Sequence, residues 1–134
     1  MPVITTYDPK TSITCHKLQG AGELEEMIAT VKRRYESGDG YLRVMWDMRE
    51  ADMTNLQPDT VRKFMAIAAR YAAGIPETRI AVVASGDLQF GFARLSSAYA
   101  DMEGAAEQYA AFRTVKDATE WLIGASSKTN DAAG

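Results

Sequence analysis

Apolar residues recur along this chain in two rhythms, and the switches between them outline the elements. Val3 to Tyr7 alternates loosely between apolar and polar, and Asp8, Pro9 and Lys10 then supply turn chemistry. Ile13 to Leu18 is a second short run rich in strand formers, so the two segments are expected to pair antiparallel. Gly20 and Gly22 break that pattern. From Glu23 to Tyr35 the period becomes helical, with Leu24, Met27, Ile28, Val31 and Tyr35 on one stripe. Glu23, Glu25 and Glu26 open this helix and Lys32, Arg33 and Arg34 close it, which complements the helix dipole. Ser37, Gly38, Asp39 and Gly40 end it.

After residue 40 the chain alternates strand and helix. Tyr41 to Met48 is a nearly unbroken apolar run of the kind that forms a buried central strand. Pro58 suits the first turn of a second helix, where its missing N–H costs nothing. The inner stripe of that helix is Val61, Phe64, Met65, Ala68 and Ala72, and Gly74 before Ile75 and Pro76 stops it. Ile80 to Ala84 is another continuous apolar strand. Asp87 can cap a third helix with the stripe Leu88, Phe92, Leu95, Tyr99 and Met102. Tyr109 to Arg113 reads as the last strand. Thr114 and Asp117 stand at capping-box spacing ahead of a short helix bearing Ala118, Trp121 and Leu122.

This order predicts an α/β fold. A mixed sheet of about five strands should combine an amino-terminal antiparallel hairpin with a βαβαβα unit of parallel central strands, flanked by about four helices. Residues 1–124 read as one domain. The aperiodic, small and polar segment from Ala125 to Gly134 reads as a flexible tail.

Composition narrows the function classes. The 134 residues are 46% hydrophobic and 25% charged, as in an ordinary globular protein that needs no covalent staple. Fifteen basic against 18 acidic residues give a net charge of −3, which argues against nucleic acid as a partner. The single cysteine, Cys15, has no intramolecular disulfide partner, and no stretch approaches a membrane span. A cytoplasmic location is the expectation.

The order of two strands, then three strands separated and followed by helices, resembles the STAS fold. The chain looks more specifically like the SpoIIAA-like family, which is also described as similar to Sec14-type lipid-binding domains. The residues that carry the likeness are Trp46-Asp47-Met48-Arg49, Arg79-Ile80-Ala81-Val82-Val83 and Phe90-Gly91-Phe92-Ala93-Arg94, then Phe112-Arg113, Asp117-Ala118 and Trp121-Leu122. It covers about residues 3 to 124. Anti-sigma-factor antagonists of this fold carry an Asp-Ser-Ser-Gly signature at the start of the second helix, where one serine is phosphorylated. Here that stretch is Ala51-Asp52-Met53-Thr54-Asn55-Leu56, with no serine and with Thr54 as its one hydroxyl. The resemblance thus implies a fold more than an activity.

No catalytic constellation emerges. Cys15 and His16 are neighbours on a strand and point to opposite faces, so they cannot form a nucleophile–base pair. A buried thiol and an edge-strand histidine are expected instead. Asp47, Asp52 and Asp87 fall near the carboxyl ends of parallel strands, where α/β sheets place ligands. They could gather around Mg²⁺. The reading favoured here has Asp87 capping a helix, Asp47 bonding loop amides and Asp52 in solvent. No phosphate loop or serine elbow is present, and no cofactor is expected. Two readings of Phe90 stand level: exposed beside Arg94, as at a ligand mouth or protein contact, or partly buried under the preceding loop.

The candidate ligand- or partner-binding residues are therefore Asp47, Arg49, Thr54, Ser85, Asp87, Phe90 and Arg94. The sequence suggests a non-enzymatic binding or regulatory module that meets another protein, or its own copy, through the second and third helices. A small amphipathic or lipid-like ligand between the sheet and the third helix is the alternative, since methionines line adaptable pockets.

Overall fold

The computed structural model describes residues 3–21, 24–36, 43–54, 56–72, 78–102 and 108–124. Strand β1 (Val3–Asp8) turns back on β2 (Ile13–Ala21), and the two pair antiparallel from Val3 opposite Leu18 to Asp8 opposite Ile13. Asp8 organises the turn: its carboxylate accepts the Lys10 N–H at 2.9 Å and its carbonyl accepts the Ser12 N–H at 2.7 Å. Helix α1 (Leu24–Glu36) then carries the chain to β3 (Arg43–Asp52), which lies parallel to β2. Helix α2 (Pro58–Ala72), strand β4 (Arg79–Val83), helix α3 (Asp87–Met102), strand β5 (Gln108–Phe112) and helix α4 (Val115–Gly124) complete the order. Strands β3, β4 and β5 run parallel, and the spatial order across the sheet is β1-β2-β3-β4-β5.

The predicted fold class therefore stands. The described parts of the three runs, 43–48, 80–83 and 109–112, lie side by side and point the same way. Helices α1, α2 and α3 cover one face over Leu18, Val44, Trp46, Ile80 and Val82. Helix α4 covers the other, where Ala118 and Leu122 pack on Ile13, Met45, Ala81 and Val83. Thr114 caps α4 by accepting the Asp117 N–H at 3.1 Å, at the spacing read from the sequence.

Two boundaries differ from the sequence reading. Strand β2 continues beyond Leu18 to Ala21, since β3 also extends to Asp52 and offers partners to Gln19, Gly20 and Ala21 after a bulge. Gly20 makes the passage with a φ of +73°, a conformation that suits glycine. Because β2 lies between β1 and β3, His16 is not on an edge strand.

The larger correction concerns α3. Its buried residues are Ala93 and Ala100, whereas Leu88 and Met102 are 54% and 75% exposed. Small side chains face inward so that the helix can sit close to the sheet and to α2, and Phe92, Leu95 and Tyr99 are only half-buried along its sides. Glu23, Tyr41, Leu42, Asn55, Gly74, Ile75, Pro76 and the tail from Ala125 to Gly134 lie outside the described residues, as does the side chain of Ala72. Among the described residues no helix is long and apolar enough to cross a membrane.

Candidate functional site

The predicted site residues fall into separate groups at the carboxyl ends of the strands. Asp47 and Arg49 lie two apart on β3, and so share a face. The Arg49 guanidinium grips the Asp47 carboxylate with two bonds, Nε to Oδ1 and Nη2 to Oδ2, both 2.9 Å. The Arg49 N–H adds a third to Oδ1 at 3.2 Å. These bonds hold the Asp47 carboxyl below the usual carboxylate range despite its burial. Beside them Lys17 meets Glu50 at 2.9 Å, and Gln19 donates to Glu50 at 2.8 Å. Cys15 is half-buried on the same side of the sheet, where burial and then the Asp47 charge push its thiol up. A thiol so placed is a poor nucleophile.

Ser85, Asp87 and Phe90 come together at the amino end of α3, around a residue the sequence reading did not select. Arg113, just past β5, donates to the Asp87 carboxylate at 2.9 Å and to the Ser85 carbonyl at 3.3 Å. Its guanidinium carbon lies 4.2 Å above the centre of the Phe90 ring. Phe90 is thus half-buried, with Arg113 over its ring, rather than exposed beside Arg94. The carboxylate of Asp87 serves Arg113 in place of the expected cap. Only the parallel register of β4 and β5 reveals this partner, since it brings Phe112 level with Val83.

Thr54 stands alone in the turn before α2. Its N–H bonds the Asp52 carboxylate at 3.0 Å, and its side-chain and backbone bonds hold that carboxyl low. Asp47, Asp52 and Asp87 therefore each have their own partner and do not converge. Among the described residues no group of three or more His, Cys, Asp or Glu side chains could hold a metal ion. Gln89, also unforeseen, ties α3 to β3 by donating to the Ala51 carbonyl at 3.2 Å.

An apolar cavity of about 50 Å³ lies between the sheet and its three helices, lined by Met48, Met53 and Met65 with Trp46, Phe64 and Phe92. A neighbouring hollow of about 180 Å³ shares Met27, Met48, Met53 and Leu56 with it. The methionines come from α1, β3, α2 and the turn between the last two, rather than from α3 as the sequence suggested.

The comparisons with known proteins decide the fold. An uncharacterized protein of the DUF3478 family from Shewanella loihica PV-4, described as having a SpoIIAA-like fold, matches with a TM-score of 0.55 at 16% identity, over 90% of this chain and 91% of its own. The fold is SpoIIAA-like. No protein-family model and no curated protein matches the chain.

On this SpoIIAA-like frame, and among the described residues, α3 packs along one side against α2 and β5. Its opposite side carries Leu88, Gly91, Leu95, Ala98 and Met102, at alternating intervals of three and four residues. Arg94 flanks that stripe and is exposed. Among the described residues, this surface sets a predicted site residue beside a line of small and apolar side chains that are exposed except for Leu95, which is half-buried against the core.

Proposed function

We propose that the chain is a non-enzymatic interaction module that docks a protein helix along the outer side of α3. The observation that carries this reading is the stripe Leu88, Gly91, Leu95, Ala98, Met102. Alternating three- and four-residue spacing is what one helix offers to another, and the ends of the stripe are large apolar side chains in water. The engaged state of the acidic residues supports the absence of chemistry in this reading, since a carboxylate bonded to arginine makes a poor general base.

A photoreactive residue placed at Ala98 tests the docking surface, with one at Lys116 on α4 as control. Discrete adducts from Ala98 that disappear on adding Leu95→Asp support the proposal. Equal labelling from both positions, or none from Ala98, removes it.

The methionine-lined cavity favours a second reading, a small apolar ligand. Its walls adapt easily, because thioether side chains repack at little cost. Its size counts the other way: ligand sites usually enclose about 300–1,000 Å³. Native mass spectrometry of the freshly purified chain separates the two readings. A bound small molecule released by Met65→Trp supports the pocket, and uniformly empty protein with no thermal shift against fatty acids excludes it.

A further inference from the structure

We infer that the occupant of the outer α3 face is the same face of a second copy of this chain, running antiparallel. The inference rests on the reading of that face as a docking surface, and it adds the partner and the register. Read as a heptad, Leu88, Leu95 and Met102 take the a positions and Gly91 and Ala98 the d positions. The g positions along one flank are then Asp87, Arg94 and Asp101, and the opposite flank holds Phe92 and Tyr99.

A two-fold axis between antiparallel helices brings like flanks together, so the charged flank meets its own copy. One register sets Leu95 against the other copy's Ala98 and Met102 against the other copy's Gly91, each large side chain over a small one. In that register Arg94 and the opposite Asp101 come within about 3 Å of level along the axis, at 1.5 Å rise per residue. The pair forms twice. Sliding by one heptad places Arg94 against Arg94 and Asp87 against Asp101, which repel. Parallel pairing would face the charged flank with Phe92 and Tyr99 and leave Arg94 and Asp101 without opposite charges. The sequence of charges therefore selects one arrangement.

Two further observations fit a second copy. Neither Arg94 nor Asp101 has an ion-pair partner among the described residues, whereas Asp87 has Arg113. Gly91 sits in the second turn of α3 with nothing among the described residues within 4 Å of where its Cβ would be, so no packing among them calls for glycine there. A glycine weakens a helix interior, and here it leaves the notch that the partner's Met102 fills.

One helix face is a small interface, below the area of standard complexes, so dissociation is expected at about tens of micromolar. Sedimentation equilibrium of the full chain up to about 1 mM is the experiment. Arg94→Asp and Asp101→Arg should each weaken the dimer about tenfold or more, since each turns two attractions into repulsions. Mixed together, the two variants should pair with each other at wild-type strength, because every contact is again between opposite charges. A misfolded variant cannot imitate that recovery. A chain that stays monomeric throughout, single variants that dimerise normally, or a mixture that does not recover would each overturn the inference. If the chain is monomeric while adducts from Ala98 persist with other proteins, self-pairing fails and the docking surface stands.

Discussion

Arg34 Nη1 lies 3.3 Å from His16 Nε2 in the layer between α1 and β2. A guanidinium only donates, so Nε2 must accept, and Nδ1–H is left to donate to the Thr5 hydroxyl at 2.9 Å. Burial first, and the Arg34 charge second, lower the imidazole pKa to about 3. The structure thus requires neutral His16. An unfolded chain binds a proton there below its ordinary value of 6.5, while the folded chain does not. Stability is therefore full above pH 6.5 and falls as the pH drops toward 3. The loss from this one group between about pH 7.5 and 5.5 is about 1.4 kcal/mol. Asp47, Glu50, Asp52 and Asp59 are all held below their usual carboxylate values and titrate beneath that window. Urea denaturation at the two pH values should show the loss in the wild type and not in His16→Gln, which keeps one donor and one acceptor. Equal losses in both proteins would place the dependence elsewhere.

The Asp47–Arg49 clasp is asymmetric in burial: the carboxylate is 6% exposed and the guanidinium 44%. Removing the cation strands a buried charge, whereas neutralising the carboxylate leaves an arginine that can turn to water. Arg49→Ala is expected to cost about 2 kcal/mol and Asp47→Asn about 1 kcal/mol. In the double variant the costs should fall short of their sum, because both singles break the same bonds. A double-mutant cycle in urea measures this. Strict additivity would show that the clasp contributes nothing to folding.

Much of this architecture was readable beforehand, for a definite reason. Strands β3 and β4 are covered on both faces, so Ile80 to Val83 is apolar without interruption and Val44 to Met48 is broken only by Asp47. Helix α2 buries one stripe, Val61, Phe64, Met65 and Ala68, and exposes charges opposite. Helix α3 misleads because its apolar residues surround it. Hydrophobicity points to Leu88 and Met102, whereas close packing against sheet and α2 selects Ala93 and Ala100, whose small side chains weigh little in any apolar pattern. The site suffered from a second ambiguity. Asp87 and Phe90 were visible, but their shared partner Arg113 lies far along the chain and becomes adjacent only through the β4–β5 register.

That arginine also holds the end of α3. Arg113 covers Phe90 and bonds Asp87, but it is about half exposed and Asp87 almost wholly so. Exposed ion pairs contribute little, and a cation over an aromatic ring at the surface about 0.5–1 kcal/mol. Arg113→Ala should therefore lower stability by about 1 kcal/mol at most, with little dependence on salt, while Phe90 becomes more accessible. Collisional quenching of a Phe90→Trp reporter, with and without Arg113, reads that exposure. No change in quenching would mean that the ring is shielded by other neighbours.

Gly91 offers the sharpest contrast between folding and association. No atom of the described residues lies within 4 Å of a Cβ built there, and the residue is exposed within a regular helix. Replacing glycine by alanine in such a place restricts the unfolded chain and clashes with nothing, so Gly91→Ala should stabilise the monomer by about 0.5–1 kcal/mol. Gly91→Leu should also be tolerated by the folded monomer. The interface responds in the opposite sense, because each added side chain occupies the notch meant for the other copy's Met102, and two-fold symmetry repeats the clash. Thermal denaturation at low concentration and sedimentation at high concentration should therefore move apart in the series glycine, alanine, leucine: the monomer no less stable, the dimer progressively weaker. Were association to strengthen steadily with side-chain size, as for a plain hydrophobic patch, the large-over-small packing would be wrong even if the chain does dimerise.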